Sequence, residues 1–321
     1  MNVPSKLITI IGGSGFIGRH ITRALARQGH RIRIAVRRPD LAGHVQPLGT
    51  PGQIMPVQAN LRFPESIEAA CAGADVVINL VGVLYSSGGQ TFSALHAHGV
   101  RVAARAARNA GATQFIQMSA IGADMDSGSD YAHTKAEGEA AAAEEFPGAI
   151  IIRPSIVFGP EDNFFNQFAA MARLLPVLPL IGGGGTLFQP VFVGDVAEAV
   201  AKLVADGPAS GKTYELGGPA QKSFRQLLQY VLEVTGRKRL LVPLPFGLAR
   251  MIGGVAGLLP SPVLTADQVE MLKVDNVVSG AAVAEGRTLE GLGIAPEPIE
   301  AIVPSYLYRY RKAGQFSSSV L

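Results

Sequence analysis

Two kinds of hydrophobic pattern alternate along the first half of this chain. Leu7-Ile8-Thr9-Ile10-Ile11 lies in a nearly continuous apolar run, and a strand is predicted from Lys6 to Ile11. Runs of strand length follow at 31–36, 76–81, 115–118 and 149–152. Between them lie stretches with helical spacing, including the residues up to about Gln28 and the alanine-rich segments 100–110 and 135–145. Strands this apolar, separated by helices, predict a parallel sheet covered on both faces. The expected fold is α/β, a doubly wound parallel sheet.

The second half is less regular. Residues 164–175 predict a helix that stops before Pro176, and 189–193 a short strand. Asp195, with Glu198 three residues on, reads as the cap of a further helix. A strand over 213–216 is closed by Gly217-Gly218-Pro219. Gly182 to Gly185 reads as a solvent turn with no phosphate role, because no strand-to-helix pattern brackets it. The expected division is a nucleotide-binding domain over 1–158 and 187–217, and a smaller, mostly helical substrate or partner domain over 159–186 and 218–321.

The first strand runs directly into Gly12-Gly13-Ser14-Gly15-Phe16-Ile17-Gly18. Gly12 allows a tight turn off the strand, Gly15 lets backbone approach a pyrophosphate, and Gly18 lets a helix pack closely. Free N–H groups and the positive helix end then face the phosphates. Gly12, Ser14, Gly15, Phe16, Ile17 and Gly18 are therefore the expected dinucleotide contacts. No Gly-Lys-Ser/Thr follows, which excludes an ATP-type phosphate loop. About 20 residues on, where an NAD site carries an acid for the ribose 2′-hydroxyl, this chain has Arg37-Arg38. Guanidinium groups pair with a 2′-phosphate, so NADP(H) is expected in preference to NAD(H).

Ser119 follows a predicted strand; Tyr131 and Lys135 lie further on, four residues apart. That spacing puts the latter two on one helical face, with Ser129 or Asp130 able to cap the helix. A neighbouring ammonium stabilises a phenolate. The tyrosine could then pass a proton to a carbonyl oxygen held by Ser119 while nicotinamide supplies hydride.

Composition narrows the class. The chain has 321 residues, 48% of them hydrophobic and 17% charged, and a mean hydropathy of +0.26. That excludes a disordered chain and hints at apolar surface kept for a partner or membrane. The net charge of +3 is spread without a basic block, so no nucleic-acid partner is expected. Cys71 is the single cysteine. An intramolecular disulfide is excluded and a reducing compartment expected. No signal or transit peptide is visible ahead of the first strand. His96 and His98, two residues apart, do not share a helix face, so no metal site is expected.

Residues 240–259 carry one charge, Arg250, and follow Arg237-Lys238-Arg239. Pro243 and Pro245 leave about 14 residues for a helix, too few to span a bilayer. The stretch reads as a buried helix or as an interfacial segment near anionic headgroups. Residues 306–312, Tyr-Leu-Tyr-Arg-Tyr-Arg-Lys, read as the wet end of a final helix or as a membrane or partner patch.

Gly12-x-x-Gly15-x-x-Gly18, Ser119 and Tyr131-x-x-x-Lys135 resemble the short-chain dehydrogenase/reductase superfamily, in its extended or atypical branch. Residues Arg153-Pro154-Ser155-Ile156-Val157-Phe158-Gly159-Pro160-Glu161-Asp162-Asn163-Phe164-Phe165-Asn166, with Gln189-Pro190-Val191-Phe192-Val193-Gly194-Asp195-Val196, resemble the NADPH-binding accessory subunits of respiratory complex I and their bacterial relatives. The resemblance implies a Rossmann domain with Lys135, Pro154, Ser155 and Ile156 among the cofactor contacts, the last two on the nicotinamide side. It places Asn79, Val81 and Gly82 near the adenine-side ribose and phosphates. Asn60-Leu61 would lie near the adenine, with Asn60 where the family often has Asp. His98, before Gly99, stands where extended members often carry a supporting Asn. The resemblance further implies NADPH held structurally, partners among complex I subunits or a quinone-related assembly, and a place in the cytoplasm or on the inner face of an energy-transducing membrane. An active NADPH-dependent carbonyl reductase is the alternative. A nucleotide-sugar epimerase or dehydratase would use the same residues, but no sugar-specific pattern favours it.

Overall fold

The computed structural model describes residues 4–86, 91–207, 211–257, 262 and 264–312. They fall into two compact units. The first comprises 1–154, 194–216 and 280–294; the second comprises 155–193, 217–279 and 295–321.

The first unit is built on a seven-stranded parallel sheet. Its elements in order are β1 (Leu7–Ile11), α1 (Phe16–Arg27), β2 (Arg31–Val36), β3 (Ile54–Gln58), α2 (Pro64–Cys71), β4 (Val76–Asn79), α3 (Gly99–Asn109), β5 (Gln114–Met118), α4 (Asp130–Glu145) and β6 (Ile150–Pro154). The seventh strand is Thr213–Leu216, and the order across the sheet is β3-β2-β1-β4-β5-β6 and then 213–216. β4 and β5 are buried throughout, and β1 is buried at all but its first residue. This is why their sequences are apolar runs and not alternations. Helix α1 buries Ile21, Leu25 and Ala26 and leaves Arg23 and Arg27 exposed, the one-sided pattern of a helix lying on a sheet. Strand order reverses between β1 and β4. In a doubly wound sheet the crevice at that reversal, beyond the carboxyl ends of the strands, is the ligand site.

Three expectations change in detail. Segment 280–294 groups with the sheet, not with the smaller part. The Glu215 N–H donates to the Arg287 carbonyl at 2.9 Å, and Arg287 Nη1 donates to the Thr213 carbonyl, so this segment covers the strand that closes the sheet. Residues 155–158 and 187–193, expected with the sheet, group with the second unit, where Val157–Phe158 and Val191–Phe192 pair in parallel. Asp195 is not a helix cap. The helix runs Val193–Ala205 with Asp195 in its first turn, because the apolar series Val193, Val196, Ala197, Val200 and Val204 begins two residues earlier.

The second unit is less purely helical than expected. Helices Phe164–Leu174 and Phe224–Val234 pack with residues 299–307 around Phe158, Phe165, Leu178, Leu180, Leu227 and Val303. Three two-stranded pairs accompany them, including Val177–Ile181 beside Leu240–Leu244. The Gly182–Gly184 turn is packed and not merely solvated. Its three glycines all have positive φ, and the Phe246 ring lies against Gly182. Helix Phe246–Ala256 covers most of the remaining apolar stretch; residues 258 and 259 of that stretch lie outside the described residues. Among the described residues, no helix is long and apolar enough to cross a membrane.

Candidate functional site

The glycine loop sits at the reversal point. Gly12 has φ +81°, a left-handed conformation suited to glycine. Its N–H donates to the Ala35 carbonyl at 3.0 Å, tying the end of β1 to β2. Gly13, which the sequence reading passed over, is forced: a Cβ there would press on Ile10 and Ile34. Gly18 is forced by the Gly13 backbone, so its small size lets α1 close on the loop itself. Gly15 is different. A Cβ there would meet only the Gly12 carbonyl oxygen, at an ordinary 3.5 Å. Nothing in the chain excludes a side chain at Gly15, which fits a phosphate group as the excluded neighbour. Gly15 is also the N-cap of α1, with no side-chain cap and no acid in the first turn, so the helix end keeps its positive field for an anion. The donor set fits a dinucleotide.

The two expected arginines separate. Arg38 closes on Asp40 in a bidentate pair, Nε to Oδ1 at 3.0 Å and Nη2 to Oδ2 at 2.7 Å. Arg37 is exposed and makes no hydrogen bond or ion pair with any described residue. The Asn60 Oδ1 accepts the Arg62 N–H at 3.1 Å and so serves a local turn, while Leu61 is buried in the core beside Gly99. Val81 lies against Gly12. Buried Asn79 donates to Gln117 Oε1 at 2.8 Å, so it braces β4 against β5.

Helix α4 carries the candidate catalytic residues. Ser129 caps it, accepting the Ala132 N–H at 3.3 Å. Tyr131 and Lys135 are both buried, and the Lys135 Nζ lies 5.7 Å from the centre of the Tyr131 ring. The Lys135 ammonium donates to the Met118 carbonyl at 3.2 Å, at the end of β5. Burial pulls the pKa of Lys135 down to about 8, against the opposing field of Glu139. The spacing brings this pair together as expected.

Ser119 joins them with a restriction. Its hydroxyl donates to Glu139 Oε1 at 2.5 Å. Arg153 grips the same carboxylate, Nε to Oε1 at 2.8 Å and Nη2 to Oε2 at 2.6 Å. A serine has one proton to give. While that hydrogen is directed at Glu139, Ser119 offers only lone pairs to other groups, and a lone pair does not hold a carbonyl oxygen.

His96, not His98, stands at the tyrosine. Residues Ser93–His98 form one π-helical turn, a distortion frequent at functional sites. It leaves His98 exposed and buries His96 edge-on to Tyr131, ring centres 5.3 Å apart. His96 Nε2 accepts the Val83 N–H at 3.0 Å, and Nδ1 lies 3.2 Å from Thr134 Oγ1. Thr134 Oγ1 donates to the Asp130 carbonyl at 2.7 Å. The chain of donors therefore assigns the proton to Nδ1. Burial and the Lys135 charge push the His96 pKa down to about 3. A neutral imidazole thus backs the Tyr131–Lys135 pair.

In the first unit, Pro154 ends β6. In the second, Ser155 donates to Asn276 Oδ1 at 2.7 Å and accepts the Gln189 N–H at 3.3 Å. The carbonyl of Ile156 accepts the Val191 N–H at 2.9 Å.

A glycine turn off β1 and a Tyr-x-x-x-Lys helix after β5 are features shared by many proteins. Residues 8–217 match the family described as the NAD dependent epimerase/dehydratase family. The chain belongs to this family. Over 99% of its length it is 35% identical to NADH dehydrogenase (ubiquinone) 1 alpha subcomplex subunit 9, mitochondrial, of Arabidopsis thaliana, covering 82% of that protein. This bears out the resemblance carried by residues 153–166 and 189–196. The chain is also 36% identical to ceramide reductase of Caulobacter vibrioides, over 62% of this chain and 60% of that one. Among solved structures, Citrobacter sp. triphenylmethane reductase complexed with NADP(H) superposes with a TM-score of 0.72 at 20% identity, covering 93% of this chain and 99% of that one. This last likeness is one of fold.

Proposed function

We propose that this protein is an accessory component of respiratory complex I that holds NADP(H) largely as a structural element. The observation that carries this reading is the Ser119–Glu139–Arg153 chain. Carbonyl reduction in the expected arrangement has Ser119 donate a hydrogen bond to the carbonyl oxygen while Tyr131 supplies the proton, and here the Ser119 hydrogen is directed instead at Glu139, which Arg153 holds. The likeness over 99% of the chain to a protein named as a subunit of the ubiquinone-linked NADH dehydrogenase supports the partner. The unpaired Arg37, and arginines at 37 and 38 where an NAD site carries an acid, support NADP(H) over NAD(H).

A docking face on the inner side of an energy-transducing membrane fits the second unit. Helix Phe246–Ala256 exposes Met251 (64%) and Val255 (70%), an unusual display for a water-facing surface. Arg250 lies beside them, and Lys238 is exposed nearby in sequence, as suits anionic headgroups.

The test is purification from native membranes. Mass spectrometry of the denatured protein should release near-stoichiometric NADP(H), and native electrophoresis should place the chain with complex I subunits. A chain that purifies empty, or migrates alone from intact membranes, overturns the reading.

A second reading has its own support. Tyr131 and Lys135 are buried together, with the lysine drawn toward neutrality, and one relative is named as a reductase. If the protein is an NADPH-dependent carbonyl reductase, NADPH consumption with a lipid-like ketone will be measurable and Tyr131→Phe will abolish it.

A further inference from the structure

Several arginines of the first unit are matched to acids: Arg38, Arg101, Arg105, Arg153 and Arg287 each reach a carboxylate. In the second unit Arg173, Arg237 and Arg239 make no ion pair with any described residue. Residues 163–194 and 234–266, which carry them, contain no acid at all. Glu233, the nearest acid along the chain, makes no ion pair with them.

Two of these guanidinium groups are held from behind. Arg239 Nε donates to the Ala172 carbonyl at 2.8 Å, and Nη1 to that of Lys238 at 3.0 Å. This fixes it at the C-terminal end of helix 164–174, whose next residue is Arg173. Arg237 Nε donates to the Tyr310 carbonyl at 2.8 Å. Carbonyls position these groups without neutralising them. Arg239 Nη2 and both Nη groups of Arg237 keep N–H donors with no partner among the described residues. Desolvation, with the charges of Arg239 and Arg173, draws the Arg237 pKa below its ordinary value, as follows where like charges gather.

Aliphatic side chains are exposed directly beside these cations. Leu174 (77%) follows Arg173, and Leu240 (71%) follows Arg239. Leu240 pairs with Val177 in the parallel strands 177–181 and 240–244. Val177, Leu240 and Val242 are exposed while Leu178 and Leu180 are buried. One side of the strand pair therefore covers the core and the other turns aliphatic groups outward. Uncompensated guanidinium forks suit phosphates, and the aliphatic groups among them suit acyl chains.

We propose that Arg173, Arg237 and Arg239, with Leu174, Leu240 and Val242, form a site for the phosphate headgroups of an anionic phospholipid bilayer. This rests on the membrane-docking reading above and gives it a second contact, apart in sequence from helix 246–256.

The experiment is flotation of the purified full chain with phosphatidylcholine vesicles, with and without phosphatidylglycerol. The unmodified chain is expected to prefer the anionic vesicles, and inorganic phosphate is not expected to displace it. Arg173→Gln removes an exposed side chain that holds no hydrogen bond. It should weaken binding to anionic vesicles about fivefold, and together with Arg239→Gln about 25-fold, at the worth of a cation near the membrane surface. Arg23→Gln, the same loss of charge on the exposed side of α1, should change binding less than about twofold. Leu240→Ser should weaken binding to both kinds of vesicle. Equal weakening by Arg23→Gln would reduce the effect to net charge and overturn the site. So would indifference to the arginine variants, or displacement by inorganic phosphate, which would mark a site for a free anion. If the unmodified chain ignores anionic vesicles, this proposal and the membrane reading both fall. If it binds them and only Met251→Glu with Val255→Glu releases it, the membrane reading stands and this proposal alone falls.

Discussion

The backbone of Gly138 lies against the carbonyl oxygen of His96, so close that a Cβ at residue 138 would overlap it. This approach seats the Ser93–His98 turn on α4 and holds the His96 ring beside Tyr131. Both partners are backbone, so neither can yield by a side-chain rotation. Gly138→Ala is expected to destabilise the protein by about 2 kcal/mol or more, the scale of overpacking in a dense core. Gly247→Ala, in open space on the helix 246–256, should cost nothing or stabilise slightly. Urea unfolding of the two variants checks the contrast.

Lys135 makes stability rise with pH in the alkaline range. Its pKa stands at about 8 in the fold, against an ordinary 10.5. Below pH 8 the ammonium is charged in both states, and the fold bears the full cost of burying it. Between pH 8 and 10.5 the unfolded chain keeps a proton that the native protein has released, so the native state gains. The difference amounts to about 3 kcal/mol at most. Lys135→Met should therefore be more stable than the unmodified chain at pH 7, with the gap closing by about pH 10. Chemical denaturation at the two values measures it, and a constant gap would contradict the burial argument.

His96 works in the opposite range. With its pKa held at about 3, it stays neutral while an unfolded histidine takes up a proton near 6.5. Its contribution is whole above pH 6.5 and is lost as the pH falls from there toward 3. Nitrogen-15 spectra of the labelled imidazole should show a neutral ring, protonated on Nδ1, from pH 8 to 5. A titration midpoint near 6.5 would refute the assignment.

The exposed helix 246–256 separates docking from folding. Met251→Glu with Val255→Glu changes two solvent-facing positions, so stability should move by less than about 0.5 kcal/mol. The share of protein recovered with membranes should fall several-fold. Membrane fractionation beside thermal unfolding reads both quantities, and an unaltered membrane share would discard this face as the contact.

The central strands were legible because two-sided burial writes itself as apolar runs, and the predicted 31–36 strand is matched residue for residue. β3 was not legible: Pro56 breaks Ile54-Met55-Pro56-Val57-Gln58. The structure puts it at the sheet edge, where proline is tolerated. Pro179 and Pro243 hid the paired strands 177–181 and 240–244 in the same way. Of the candidate site, the glycine spacing and the Tyr131–Lys135 pair could be read directly, since each depends on local geometry. Glu139 had a usable signal, four residues beyond Lys135 on the same helical face. His96 had none, because a π-helical turn alters which residues face inward. That Asp40 claims one of two adjacent arginines is likewise visible only in three dimensions.

Tyr131, Lys135 and Glu139 occupy successive turns of one α-helix, a rod that rises about 12 Å from the first of them to the last. Tyr131, Lys135 and the carboxylate that accepts from Ser119 are consequently mounted on a single shaft. Sliding or tilting that shaft carries all three together, so moving the helix does not part Glu139 from Ser119 without also displacing Tyr131. The contact is otherwise parted by rotation of the Ser119 hydroxyl, or by turning Glu139 against its two guanidinium contacts.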